Sequence, residues 1–289
     1  MLKSTRKESS TQKRFPWYGW LGLVVMLVAE VLLFARVEPV PTWFTPVVWS
    51  GYILFADGLV LHLKGQSLIH DRCKEFLMMC CLSLLIWLGF ELYNLRLMNW
   101  YYVGLPAQAW QRDLGYGWAF ATIFPAIFES AEWLEELIPF QRVRITPRPW
   151  REWLLALSVI AGFAFVAIPP MLPYRISRYL FGFVWLGFIF LVDPINRRMG
   201  APSLLRDWEE GHPARVLSLL ASGVVCGLLW EFWNYWAHTK WIYAMPLLSE
   251  IKLFEMPVLG FLGFPPFALE CYVLYQFAKT ALRGDRLWV

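Results

Sequence analysis

Eight apolar stretches of about twenty residues each constrain this chain more than any other feature. They lie near 17–36, 43–63, 75–95, 116–137, 151–172, 177–196, 214–236 and 257–280. A helix of about 20 apolar residues crosses the roughly 30 Å hydrocarbon core of a bilayer. Lipid offers a backbone amide no hydrogen-bond partner, so a chain inside it must be helical or form a closed barrel. A barrel needs short segments of alternating hydrophobicity, and the sequence has none. Composition agrees. The chain is 58% hydrophobic and 17% charged, with mean hydropathy +0.46, whereas a soluble domain carries about 25% charged residues. Its 18 tryptophans suit many crossings of the headgroup region, where Trp and Tyr collect. The expected fold class is all-α: a polytopic membrane helix bundle of about eight transmembrane helices.

The basic residues orient that bundle. With the N-terminus in the cytoplasm, nineteen of the 26 Lys and Arg fall in inside segments and seven outside. This is the bias of the positive-inside rule. It predicts an integral protein, of the kind found in a bacterial inner (plasma) membrane, with both termini cytoplasmic. The net charge of +4 is spread over short loops, which argues against a nucleic-acid partner. The N-terminal stretch ends in Phe34-Ala35-Arg36 without a clear small-residue cleavage site, so it reads as an uncleaved first helix. The five cysteines have no metal-ligand spacing, and their odd number prevents complete internal pairing.

The chain also resembles itself. Trp49-Ser50-Gly51-Tyr52 leads to Asp57, Ser67-Leu68 and Asp71; Trp185-Leu186-Gly187-Phe188 leads to Asp193, Ser203-Leu204 and Asp207. Glu91 and Asn94, followed by Trp100, Tyr102 and Pro106, match Glu231 and Asn234, followed by Trp241, Tyr243 and Pro246. Pro125 and Glu129 match Pro266 and Glu270. The offset runs from 136 to 141. Rare polar residues repeated in one order predict a duplication. The division is a basic cytoplasmic tail over 1–16, one four-helix membrane repeat over 17–145 and a second over 146–289. An even number of spans per unit makes the repeats parallel, about an axis along the membrane normal.

An ionisable group within a bilayer is costly and tends to face a bundle interior or a cavity. Glu129, Glu270, Glu91 and Glu231 are therefore the candidate catalytic residues, with Glu129 and Glu270 as the acid-base groups and Glu91 and Glu231 supporting them. The competing reading is that paired polar residues hold helices together by hydrogen bonds. Asn94 and Asn234, three residues beyond their glutamates, share a helix face with them. Together with Trp100, Tyr102, Trp241, Tyr243, Pro125 and Pro266 they form the candidate substrate-binding set. Asp57 and Asp193 are expected to fix the cytoplasmic ends of their helices, with Ser67 and Asp71, and Ser203 and Asp207, capping the following loop or helix. Glu30 lacks a repeat counterpart. The four histidines are scattered and form no HExxH motif, and no Walker or dinucleotide glycine motif occurs, so neither a metal nor a cofactor is expected. The Pro- and Gly-rich run from Phe254 to Glu270 breaks a helix entering the membrane and is expected to wall a pocket.

The run Trp230-Glu231-Phe232-Trp233-Asn234, then Trp241-Ile242-Tyr243, a Gly- and Pro-rich segment and Glu270, resembles the heterodimeric and fungal-type lycopene cyclase domain. That family uses tandem membrane repeats and a proline-led pair of acids. Here Pro266 is followed by Glu270 alone, and Pro125 by Glu129 alone. The resemblance implies a lycopene cyclase-like isomerase or cyclase acting on an isoprenoid or carotenoid. The residues themselves suit a membrane-embedded enzyme that uses carboxylic acid-base chemistry on an apolar isoprenoid or lipid. Two alternatives use the same side chains: a proton-coupled transporter or channel-like protein, and a non-catalytic membrane scaffold. The expected partners are membrane lipid and an apolar small molecule.

Overall fold

The computed structural model describes residues 14–246 and 250–283. Most of the basic tail expected over 1–16, including Lys3, Arg6, Lys7 and Lys13, lies outside the described residues, as does Arg286.

The described chain is mostly helical. In order it forms α1 (Trp17–Phe34), α2 (Phe44–Lys64), the short α3 (Leu68–Asp71), α4 (Cys73–Leu97), strand β1 (Trp100–Val103), α5 (Ala109–Ala121) and α6 (Ile123–Leu137). Then come α7 (Glu152–Met171), the short α8 (Tyr174–Ser177), α9 (Phe181–Met199), the short α10 (Leu204–Glu209), α11 (Ala214–Trp236) and strand β2 (Lys240–Tyr243). The chain closes with the two-residue strands β3 (Lys252–Leu253) and β4 (Met256–Pro257), a 3₁₀ turn (Val258–Gly263) and α12 (Phe264–Arg283).

Among the described residues, six helices are long and apolar enough to cross a membrane. This makes the protein compatible with integral membrane residence. The other two stretches expected to span differ for local reasons. The stretch near 116–137 breaks between α5 and α6 at Thr122. Pro125 has no N–H to offer the carbonyl four residues earlier, so one continuous helix would lose its ladder there. The same rule delays α12, where Pro265 and Pro266 occupy the first turn behind a 3₁₀ entry. The stretch near 177–196 becomes α9, which carries Asp193, Arg197 and Arg198.

Two helix pairs show the same close approach. A Cβ on Gly22 would lie 2.4 Å from the Gly51 carbonyl oxygen, where α1 crosses α2. A Cβ on Gly162 would lie 2.7 Å from the Gly187 carbonyl oxygen, where α7 crosses α9. Lipid is as apolar as leucine, so helices in it associate through such close backbone packing and not through hydrophobic exclusion. The outer helices expose large apolar side chains, such as Val24, Leu27 and Val31 on α1 and Leu157, Ile160 and Phe163 on α7. In the interior α11 packs against α6 and α12, α12 against α9, and α2 against α6.

The expected end fixtures form. Asp57 accepts from the Tyr18 hydroxyl at 2.7 Å, the Ser67 hydroxyl at 2.8 Å and the Ile69 amide at 2.7 Å. Asp193 accepts from the Ser203 hydroxyl at 3.2 Å and the Leu204 and Leu205 amides at 3.0 and 2.7 Å. Ser67 and Ser203 each cap the short helix that follows.

The glycine crossing is open to test. Gly22→Ala should destabilise the purified protein by about 1–3 kcal/mol, the usual cost of overpacking. Gly89→Ala meets nothing within 4 Å and should stabilise it by about 0.5–1 kcal/mol, the helix penalty of glycine. Unfolding in detergent mixtures measures both, and equal effects would sink the close-packing account.

Candidate functional site

The site grows from two short strands at one end of the bundle. β1 leaves the end of α4 and β2 leaves the end of α11, and the two pair antiparallel, with Trp100 opposite Tyr243 and Tyr102 opposite Trp241. Each strand is clamped by an asparagine from the helix before it. Asn94 donates to the Trp100 carbonyl at 2.9 Å and accepts from the Asn99 and Trp100 amides at 2.8 and 3.2 Å. Asn234 donates to the Trp241 carbonyl at 2.9 Å and accepts from the Trp241 amide at 3.0 Å. Both asparagine side chains are thus engaged with strand backbone.

The clamped strands aim their aromatic side chains at the two glutamates. One oxygen of Glu91 accepts from the Tyr102 hydroxyl at 2.6 Å, the Trp87 indole at 3.0 Å and the Trp100 indole at 3.1 Å. Glu231 accepts from the Tyr243 hydroxyl at 2.7 Å, and Trp241 donates to that same hydroxyl oxygen at 2.8 Å. The second oxygen of Glu231 is buried without a hydrogen-bond partner. Burial, then the charge of the facing glutamate, pushes the Tyr102 and Tyr243 phenols well above their usual range. Both therefore keep their protons at neutral pH and act as donors.

These residues wall an aromatic cavity of about 140 Å³. Seven of the 18 tryptophans line it: Trp43, Trp49, Trp87, Trp100, Trp185, Trp230 and Trp241. Tyr102, Tyr116, Phe120, Tyr243, Phe264 and Phe267 complete the aromatic wall; Arg112 and Lys240 are its charged members, and Gln111 and four threonines its other polar ones. The rings meet mainly edge to face or tilted, as Trp100 and Phe181 do at 4.9 Å and Trp49 and Trp230 at 5.2 Å. Such an enclosure suits an apolar body. Ring faces also stabilise positive charge within about 6 Å.

Trp100, Tyr102, Trp241 and Tyr243 thus gather at one cavity, with Glu91 and Glu231 hydrogen-bonded behind them. Pro125 and Pro266 do not line it; they open the helices that contribute Ile123, Phe264 and Phe267. Glu129 and Glu270 do not line it either. Both are fully enclosed, and none of their four carboxyl oxygens has a hydrogen-bond partner. Glu30, without a repeat counterpart, accepts from the Trp233 indole at 3.0 Å. Sequence reasoning missed Trp43, Trp87, Trp230, Tyr116 and Phe120 as cavity residues. Trp49 and Trp185 marked the internal repeat without signalling a shared pocket. Trp87 precedes Glu91 by one helical turn, and that spacing was the available clue. Among the described residues no cluster of His, Cys, Asp and Glu could hold a metal ion.

No family model matches the chain, and no curated protein or solved structure matches it. What the described residues define is a helical protein with six helices long and apolar enough to cross a membrane and an aromatic cavity at one end.

The clamp gives a measurable expectation. Asn234→Leu removes the side-chain partner of the half-buried Trp241 amide and carbonyl, which should cost about 1–2 kcal/mol, the lower part of the range for a buried unsatisfied group. Denaturant unfolding reads the loss. A change below about 0.5 kcal/mol would mean that the strand pair does not depend on the clamp.

Proposed function

We propose that the chain is a membrane-embedded enzyme that works on an apolar isoprenoid, carotenoid or related lipid by carboxylic acid-base chemistry. The observation that carries this reading is the aromatic cavity with a tyrosine–glutamate hydrogen bond on each of the two paired strands that line it. In this reading Tyr243 and Glu231 deliver or recover a proton at the substrate, and Tyr102 and Glu91 form the matching pair across the strands. The three donors on one oxygen of Glu91 suit an acceptor; the free oxygen of Glu231 suits a group that carries its own proton. Aromatic faces would shelter positive charge that develops on an alkene. The resemblance to the lycopene cyclase domain supports the substrate class. Chemistry of this kind requires no cofactor.

The same proposal includes eight spans in two parallel four-helix repeats, 17–145 and 146–289. Its support is the equivalent glycine crossings, the equivalent aspartate fixtures and the strand register. Trp100 faces the counterpart of Tyr102, and Tyr102 faces the counterpart of Trp100, as a twofold axis between the strands requires. The proposal also places the protein in a bacterial inner membrane with both termini cytoplasmic; the support for that orientation is the basic-residue bias.

A proton-coupled transporter is favoured by one separate feature, a polar cavity at the opposite end of the bundle. The scaffold reading fits less well, because helix-bonding carboxyls should be satisfied, whereas those of Glu129 and Glu270 are not.

Lipid and pigment profiles of cells with and without the protein test the enzyme reading. A precursor should accumulate in its absence. Glu231→Gln and Tyr243→Phe should each lower turnover by about 10²–10⁴-fold, the usual weight of a general acid. Identical profiles with and without the protein would rule the enzyme out.

A further inference from the structure

At the other end of the bundle lies a second cavity, of about 460 Å³. The far ends of α2, α6 and α12 and the near ends of α4 and α11 enclose it, through residues such as Lys64, Glu75, Glu132, Ser218 and Lys279. Its chemistry is the reverse of the aromatic cavity. Four cations, Lys64, Arg72, Arg215 and Lys279, share the wall with four glutamates, Glu75, Glu129, Glu132 and Glu135. Most are already paired: Lys64 and Arg72 with Glu132 at 3.3 and 3.4 Å, Lys279 with Glu75, and Arg215 with Asp207 at 2.9 Å. A wall of balanced, mutually paired charges offers no strong field for an anion or a multivalent cation. It suits water.

Glu129 stands apart from this pairing. It is 1% exposed, it belongs to the cavity wall, and neither carboxyl oxygen has a hydrogen-bond partner. The titratable groups that act on it electrostatically are Asp57 and Tyr52 on α2, Tyr18 on α1, Glu132 on its own helix and Arg72 before α4. Asp57 is held as an acceptor by three donors, so Glu129 can bond to it only while Glu129 itself carries the proton. A carboxyl left this way in an apolar bundle must exchange its charge with something, because an isolated buried carboxylate is costly. The barrier beyond it is thin. Ile123 lines the aromatic cavity and Glu129 the polar one, six residues apart on α6, or about 9 Å at 1.5 Å per residue.

We infer that the polar cavity is a hydrated vestibule through which Glu129 takes up and releases a proton on the face that carries Lys64, Arg72 and Lys279. The ligand is the proton itself. It passes from a hydronium ion in the vestibule to the Glu129 carboxylate, leaving water, and returns by the reverse step. Glu270, the counterpart at the same depth, lines neither cavity and is sealed. The vestibule makes the two halves unequal: one buried glutamate borders the polar cavity and the other borders neither cavity. This inference goes beyond the enzyme proposal and does not need it, because it concerns access to Glu129 and not what the aromatic cavity binds.

Sided labelling tests it. In full-length protein with the five cysteines replaced, single variants Glu129→Cys, Ser218→Cys and Glu270→Cys are placed in sealed vesicles. They are treated on either side with a charged, membrane-impermeant methanethiosulfonate. Ser218→Cys and Glu129→Cys should label from the vestibule side at least tenfold faster than from the other, and Glu270→Cys from neither. Should Glu129→Cys fail to fold, a water-soluble carbodiimide on the unmodified protein decides, with adducts located by peptide mass. An adduct on Glu129 from the vestibule side, formed faster as pH falls, supports the inference. Modification of Glu132 or Glu135 without Glu129 overturns it, as does labelling of Glu129→Cys no faster than Glu270→Cys. None of these outcomes depends on a substrate, so the inference and the enzyme reading can fail separately.

Discussion

Non-helical backbone at the end of a membrane bundle has to find its hydrogen-bond partners inside the protein. β1 and β2 answer this by pairing with each other and by borrowing the side-chain amides of Asn94 and Asn234. The rest of the aromatic end follows. With the strands fixed flat against α4 and α11, Tyr102 and Tyr243 reach back to Glu91 and Glu231. The indoles of Trp100 and Trp241 are held in the same network. Without the asparagine clamps the strands would carry unsatisfied amides in a largely apolar setting, a cost of about 1–3 kcal/mol for each group.

The two glutamates are alike in sequence position and unlike in surroundings. Glu91 receives two indoles and a phenol on one oxygen. Glu231 receives a single phenol, because Trp241 turns its indole to the Tyr243 oxygen instead. α4 carries Trp87 one turn before its glutamate; the corresponding place on α11 is Gly227, where Phe264 packs so closely that a Cβ would lie 2.4 Å from its ring. A single residue difference between the halves thus changes how many donors meet the acid. Pairs of carboxyls in differing environments are the usual means by which one site holds both an acid and a base.

Much was legible in the sequence because the signals were local. Apolar runs set the helices, Pro125 and Pro266 set where two of them begin, and Ser67 and Ser203 capped the turns they were expected to cap. The matched order of Glu91, Asn94, Trp100 and Tyr102 with Glu231, Asn234, Trp241 and Tyr243 marked residues that do gather around the strand pair, while Asp57 and Asp193 fix helix ends elsewhere. Other features depended on distance in space. The segment 100–103 has only four residues, too few for a period-2 pattern to register, and its partner is about 140 residues away. Trp43, Trp87 and Trp230 looked like any tryptophan near a membrane interface, since their shared cavity arises only when seven helices converge.

The sequence by itself determined that the chain seeks lipid, that its acids recur in a fixed order, and where its helices start and break. Each of these follows from side-chain transfer energies or from the covalent geometry of neighbouring residues. Tertiary structure alone decided which acids meet which cavity. Glu91 and Glu231 stand behind aromatic walls, Glu129 borders a polar vestibule and Glu270 is enclosed. Depth in a bundle and the identity of facing side chains depend on how helices distant in sequence cross, and a one-dimensional pattern of polar residues does not encode which space each of them will face.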